Sequence, residues 1–494
     1  MHGGIGDALP AAGLFPQVRL KILVCICLAV FLAATSGCSL HYPVNKASDR
    51  WDPQAGYRGS KLGENENGDE LLVLLTFSGG GTRAAAFSYG VLETLRDTEV
   101  SIHGSKKRLL DQVDMISGVS GGSFTAAYYG LFRDHTFTDF ESRFLKKNIQ
   151  AELRNAIVFN PYNWGKLLSP YFDRSDLAAE YYDKNVFDGA TFADLLAHSK
   201  PIILINATDM VHGTRFAFNQ DTFDVICSDL LSFPVARACA ASSAVPIVLS
   251  PITLRNYAGR CGYEMPKALH EAMQPPRDIS SRRFDLANSL LPFLDSKSKP
   301  YIHLVDGGVA DNLGLRAILE RVTLFGDPWT TLSYAGMKNV HKIVFVVVNA
   351  ETATDTKWDR FERIPPFRAM LDSFSSIGIW RYNVETLALL RESFSRWADE
   401  IRRGRCGTKA ISLEPGSCGD VDFYLMEVSF DALDDEGERN YFKRLPTSFV
   451  LKPEEVDRLK DAAHRILTNS KDFKRLLEDL RKDEDFERQP SCSQ

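Results

Sequence analysis

Gly118-Val119-Ser120-Gly121-Gly122 follows the strand-like run Val113 to Ile116 and precedes Ser123 to Phe132, a stretch of helical pattern. A strand that passes into a helix through so tight a turn needs glycine where side chains would collide, and the turn lifts the serine hydroxyl above the end of the sheet. Gly118 and Gly122 are therefore read as the flanks of a nucleophile turn, with Ser120 at its tip. A glycine-rich connection carrying an idle serine is the plainer alternative, and the strand-turn-helix setting argues against it.

Outward from that turn, Leu71 to Phe77 is a continuous apolar run ending on glycines. Further strand candidates are Pro201 to Ala207, Arg215 to Phe218, Tyr301 to Val305, Lys342 to Val348 and Val421 to Phe430. Several are apolar throughout, as strands covered on both faces are. Helical patterns at Ala84 to Leu95, Ser123 to Phe132 and Leu315 to Arg321 alternate with them. This alternation predicts an α/β domain over residues 71–450, a three-layer α/β/α fold with a central, mainly parallel sheet. Two stretches break the pattern, at about 138–200 and 256–300, and are expected to be insertions, the first of them helical. The first is rich in aromatics, among them Phe159, Tyr162, Trp164, Tyr171, Phe172, Tyr181 and Tyr182, which are read as core packing. Pro453 to Ile466 and Asp472 to Asp483 predict a C-terminal helical extension over 451–494.

Two further motifs complete the chemistry. Gly79-Gly80-Gly81-Thr82-Arg83 lies between a strand and a helix, where backbone N–H groups are left free and missing side chains allow a substrate oxygen to approach. The lysine-containing ending of a phosphate-binding loop is absent, so an oxyanion hole is the better assignment. One such donor is worth about 3 to 4 kcal/mol of transition-state stabilisation. Asp306-Gly307-Gly308 ends the strand candidate Tyr301 to Val305, and functional groups in α/β folds gather at the carboxyl ends of strands. By itself an Asp-Gly pair is most often a turn.

The three motifs in this order resemble the patatin-like phospholipase family, whose pattern is Gly-Gly-Gly-x-Arg/Lys, Gly-x-Ser-x-Gly and Asp-Gly-Gly/Ala. Ala238 to Pro246 is similar to a small-residue stretch of the same family, and Pro446-Thr447-Ser448 looks like its longer bacterial members. The resemblance implies Ser120 as nucleophile and Asp306 as base. It implies Gly79, Gly80 and Gly81 as oxyanion donors, with Arg83 holding or complementing the hole. It also implies a phospholipid or other acyl-lipid substrate, a membrane surface as partner, and no metal or other cofactor. A Ser-Asp dyad needs no histidine. A triad esterase is the rival within the same chemistry, and only His341 and His464 follow Asp306 in the sequence. Both read as surface or packing residues. A rival of another kind is a non-catalytic envelope lipoprotein that retains the fold.

The remaining features concern location. Arg19 and Lys21 precede the thirteen residues Ile22 to Ala34, uncharged and apolar, and Thr35-Ser36-Gly37 lead to Cys38. As a helix that run spans about 20 Å, short of the roughly 30 Å of a hydrocarbon core. It resembles a bacterial lipoprotein signal over 1–38, with Cys38 as the acylated residue, although Thr35 stands where an aliphatic residue is usual. The expectation is export and lipid anchoring at the cell envelope, in the outer membrane, with an uncleaved N-terminal helix as the alternative. Residues 39–70 are polar and aperiodic and read as a flexible tether. Of nine cysteines, six lie beyond Cys38: Cys227, Cys239, Cys261, Cys406, Cys418 and Cys492. They permit up to three disulfides, with buried thiols as the alternative. A net charge of -6 offers no general field for a nucleic acid. Nothing in the sequence sets an oligomeric state.

Overall fold

A computed structural model of the chain describes residues 45–59, 70–102, 104–198, 200–245, 249–352, 356–407 and 420–488. The signal and Cys38 lie outside these, as do Cys418 and Cys492. Two compact units are distinguished. The smaller comprises Met1–Pro43 and Arg154–Asp173, and its described part contains the helix Pro161–Leu167. There Asn160 caps through the Tyr162 N–H at 3.1 Å and the Trp164 indole donates to the Ile157 carbonyl at 2.6 Å. Phe159, Tyr162, Trp164 and Tyr171 are exposed. This corrects the core-packing reading for those four, whereas Phe172 and Tyr182 are buried.

The larger unit, Val44–Leu153 with Arg174–Gln494, holds the sheet. Its strands are β1 (Leu71–Phe77), β2 (Glu99–Ile102), β3 (Ser105–Arg108), β4 (Val113–Val119), β5 (Ile202–Asp209), β6 (Arg215–Phe218), β7 (Ile252–Arg255), β8 (Tyr301–Asp306), β9 (Lys342–Asn349) and β10 (Asp422–Ser429). Among the described residues, eight of them form one sheet in the order β10-β9-β1-β4-β5-β8-β7, with β6 also on β5. The five from β10 to β5 run parallel, and β8, β7 and β6 are antiparallel to their neighbours. β2 and β3 form a separate hairpin.

Helices α1 (Gly81–Asp97), α2 (Gly121–Phe132), α3 (Val235–Ser242), α4 (Gly308–Asp311), α5 (Phe367–Cys406), α6 (Pro453–Asn469) and α7 (Lys471–Arg488) are those that bear on the site. The strand period of two divides them between faces. Phe423 and Phe345 meet Phe394 of α5, while Tyr424 points the other way and donates to Asp479 of α7 at 3.0 Å. The result is the expected three-layer α/β/α arrangement. The C-terminal helices belong to the body: α6 lies along α1 so closely that a Cβ on Gly90 would come within 2.7 Å of the Lys460 backbone.

Residues 45–59, expected within a flexible tether, are docked on this body. Ile203 N–H donates to the buried Tyr57 hydroxyl at 2.6 Å, and Arg58 pairs with Asp221 and Asp224. Asn45 bonds Ser228 and both backbone groups of Arg255. Polar composition concealed these attachments because they are made by hydrogen bonds and ion pairs. Cys227 and Cys261 form a disulfide beside this segment. Cys239 is a free, buried thiol, so the six cysteines do not make three bridges.

Candidate active site

β4 delivers Val119, and Ser120 then turns with φ 49° and ψ -121°, a conformation costly for any residue but glycine. Its neighbours show why they carry no side chains. A Cβ on Gly118 would lie 2.7 Å from Ser123 Cα, one on Gly122 2.6 Å from Phe77 O, and one on Gly121 2.0 Å from Gly81 O. Gly121 is thus as constrained as the two glycines the motif specifies. The nucleophile turn and the glycine loop touch there.

Asp306 reaches Ser120 by an unexpected route. β8 runs antiparallel to β5, so its carboxyl end points opposite to that of β4. The register resolves this: Val119 faces Asn206 and Asp306 faces Ala207. Ser120 and Asp306 therefore stand level across β5, about 10 Å apart at the backbone, a gap their side chains close. The Asp306 carboxyl interacts with the Ser120 hydroxyl and accepts the Gly308 N–H at 2.8 Å. Burial pushes it up to about 6, against the smaller opposing effects of those two hydrogen bonds.

A buried polar network supports the pair. Ser242, at the end of α3, accepts the Ser120 N–H on its hydroxyl at 2.8 Å, and that hydroxyl donates to the Asn206 carbonyl at 2.6 Å. The Ser242 carbonyl accepts the Gly307 N–H and the Ala244 carbonyl that of Asp306, both at 3.0 Å. The Asn206 amide donates to Ser117 Oγ and to the Gly118 carbonyl. Gly307 is pressed on β5, where a Cβ would lie 2.1 Å from Asn206 O. The Ala238 to Pro246 stretch thereby acquires a physical role, although Pro246 itself lies outside the described residues.

The glycine loop departs in part from expectation. Gly79 N–H is taken by the Asn312 carbonyl at 3.1 Å, so it is not a free donor. Gly80 (φ 142°) and Gly81 (φ 60°) have no N–H acceptor among the described residues. Arg83 does not face the site as a donor either. Its buried guanidinium donates to the carbonyls of Ala350 (2.9 Å) and Leu445 (2.6 Å) and to Thr447 Oγ1 (3.1 Å), and burial lowers it to about 10. Thr82 N–H meets the Ser448 carbonyl at 2.9 Å. Arg83 and the 445–448 segment thus clamp the loop from behind. Asn312, which no motif signalled, has its amide oxygen where Cβ atoms on Gly79 and Gly308 would come within 2.7 and 3.0 Å.

His341 and His464 are far from this cluster. His341 precedes Lys342, which is level with Leu71 at the start of β1, about 20 Å of strand from Phe77. His464 meets Thr94, some 20 Å along α1 from Gly81.

A family model described as patatin-like phospholipase matches residues 75–319. No curated protein matches the chain. Human GIVD cytosolic phospholipase A2 is 13% identical over 88% of this chain and 68% of its own, with a TM-score of 0.41. The same human enzyme in complex with methyl gamma-linolenyl fluorophosphonate inhibitor and terbium chloride gives 12%, 86%, 62% and 0.39. VipD from Legionella pneumophila gives 12%, 83%, 67% and 0.30. With the glycine loop, the nucleophile turn and the Asp-Gly-Gly strand end all inside the matched span, residues 75–319 of this chain are a patatin-like phospholipase domain.

Proposed function

We propose that this lipid acyl hydrolase works through a Ser120 and Asp306 dyad. Ser120 Oγ attacks the ester carbonyl as its proton passes to Asp306, and the oxyanion so formed is met by the N–H groups of Gly80 and Gly81. Collapse expels the alcohol, which takes the proton from Asp306 and leaves an acyl group on Ser120. Water then attacks the acyl-enzyme, giving a proton to Asp306, and collapse releases the fatty acid as Ser120 Oγ takes that proton back from Asp306, which restores the dyad. The observation that carries this reading is the level placement of Ser120 and Asp306 on either side of β5. A buried carboxyl at about 6 is ionised near neutrality yet basic enough to accept a proton. The positions of His341 and His464 weigh against a triad.

The substrate class proposed is that of a phospholipase A or lysophospholipase. The Cys227–Cys261 disulfide supports an oxidising compartment, in keeping with export and a Cys38 anchor at the envelope. The test is fatty-acid release from a panel of phospholipids and lysophospholipids by the purified protein. Parent activity with none from Ser120→Ala is the expected result. Equal release by Ser120→Ala would overturn the reading.

A further inference from the structure

We infer that the amino-terminal half of α5, with the turn before it, is the face that seats the enzyme on a lipid bilayer, an inference that rests on the lipid substrate proposed above. The forty residues of α5 span about 60 Å, and their two halves differ. From Asn383 onward the helix has a buried seam, Asn383, Thr386, Leu387, Leu390, Trp397 and Ile401, at helical spacing. Among the described side chains from Phe367 to Arg381 none is buried. Yet this half carries Phe367, Met370, Phe374, Ile377 and Val384, at steps of three, four, three and seven, with Trp380 beside them. Phe361 and Ile364, in the turn before the helix, are exposed as well.

Phe367 is 76% exposed, Phe374 80% and Trp380 50%. At roughly 200 Å² per aromatic side chain, these three alone present about 400 Å², as much as the whole largest patch of an ordinary soluble monomer.

Charge and position favour a bilayer over a protein partner. From Phe361 to Val384 the charged residues are Glu362, Arg363, Arg368, Asp372 and Arg381, three basic to two acidic in a chain of net charge -6. Arg381 follows Trp380 directly, and this mixture of aromatic and basic side chains suits the headgroup boundary of an anionic membrane. No helix among the described residues is long and apolar enough to cross a membrane, so the face lies on the bilayer. It also leads to the catalytic end. α5 packs on α4, two residues beyond Asp306, with Tyr382 under the Arg316 guanidinium at 4.3 Å. Val309 of α4 is 55% exposed there, and Met210 and Val211, just past β5, are exposed too.

The test uses the full chain, with vesicles of phosphatidylcholine containing phosphatidylglycerol and with a soluble short-chain ester. Phe367→Asp/Phe374→Asp alters only exposed positions, and an unchanged Tm verifies that the fold is intact. Hydrolysis of vesicle lipid is expected to fall at least about tenfold while the soluble ester is cleaved within about twofold of the parent rate. In Ser120→Ala, brominated lipid should quench the fluorescence that Trp380→Phe removes. Undiminished vesicle hydrolysis by the double variant together with an unquenched Trp380 overturns the inference. So does a lipid-free parent dimer that the double variant abolishes, which would make the face a seam between copies. If the parent cleaves neither substrate, the proposed function fails, and the quenching measurement still decides the surface.

Discussion

The Ser120 amide donates to the Ser242 hydroxyl at 2.8 Å, so the strained turn at the nucleophile is held by a residue 122 positions away. The same hydroxyl donates to β5, and the Ser242 carbonyl receives the amide of Gly307. One buried serine thus sets the nucleophile turn, the central strand and the aspartate loop against one another.

Ser242→Ala should therefore leave the Ser120 N–H and the Asn206 carbonyl without this partner, a loss of about 1 to 3 kcal/mol. Misplacement of the nucleophile should lower kcat by roughly 10- to 100-fold. Urea unfolding and steady-state kinetics check the two together. A variant with parental kcat would show that the turn needs no such support.

The buried Asp306 carries a pH signature. As the proton acceptor it must be ionised, so kcat/KM is expected to rise through an apparent pKa of about 6 and to level off above it. A profile flat from about pH 5 to 8 contradicts the assignment.

Stability should move the opposite way. Between the ordinary carboxylate value of 3.8 and about 6, the folded chain binds more protons at Asp306 than the unfolded chain does, so the contribution of this group to stability falls as pH rises through that window. Asp311, also buried and also raised to about 6, acts in the same sense. Asp306→Asn isolates the first. Relative to the parent it should gain stability between about pH 4 and 6, by roughly 2 to 3 kcal/mol at most, and lose that advantage below the window.

The parts of the site with local necessity were legible in the sequence. Gly118, Gly121 and Gly122 are fixed by contacts under 3 Å, and such steric demands leave glycine in the motif itself. The boundaries of β1 and β6 could be read from their residues for a similar reason, since β1 ends at the glycine loop and the aromatic run of β6 ends at Asn219, which caps the next helix. Asn206, Ser242 and Asn312 were not legible as site residues, because their partners lie far away in sequence and single polar residues carry no periodicity. The antiparallel course of β8 was equally hidden: Tyr301 to Asp306 reads alike in either direction, and only the register with Ala207 brings its end to Ser120. Helix α5 was not legible because the apolar stripe of its first half is exposed among the described residues, so no single buried face runs its length.

Arg83 is expected to be structural. Replacing it with Met leaves the Ala350 and Leu445 carbonyls unpaired, a cost of about 2 to 4 kcal/mol. Lys should recover only part of this, because one ammonium cannot reproduce the guanidinium fork. Chemical denaturation of both variants gives the comparison, and parental stability in Arg83→Met would refute the clamp.

The Cys227–Cys261 bridge closes a sequence separation of 34 residues. On the loop-entropy account, Cys227→Ser/Cys261→Ser should lose about 3 to 4 kcal/mol. Protease susceptibility near residues 45–58 should increase with it, because Ser48 and Trp51 donate to the carbonyls of these two cysteines. Unaltered stability and cleavage would show the bridge to be idle.

The partnership of Ser120 with Asp306 is tested most directly by mass spectrometry of the protein after a fluorophosphonate probe, timed in parent and Asp306→Asn. The account predicts one adduct, on Ser120, forming at least about a hundredfold more slowly in the variant. An adduct on a different serine, or capture of Ser120 at the parental rate without the carboxylate, contradicts it.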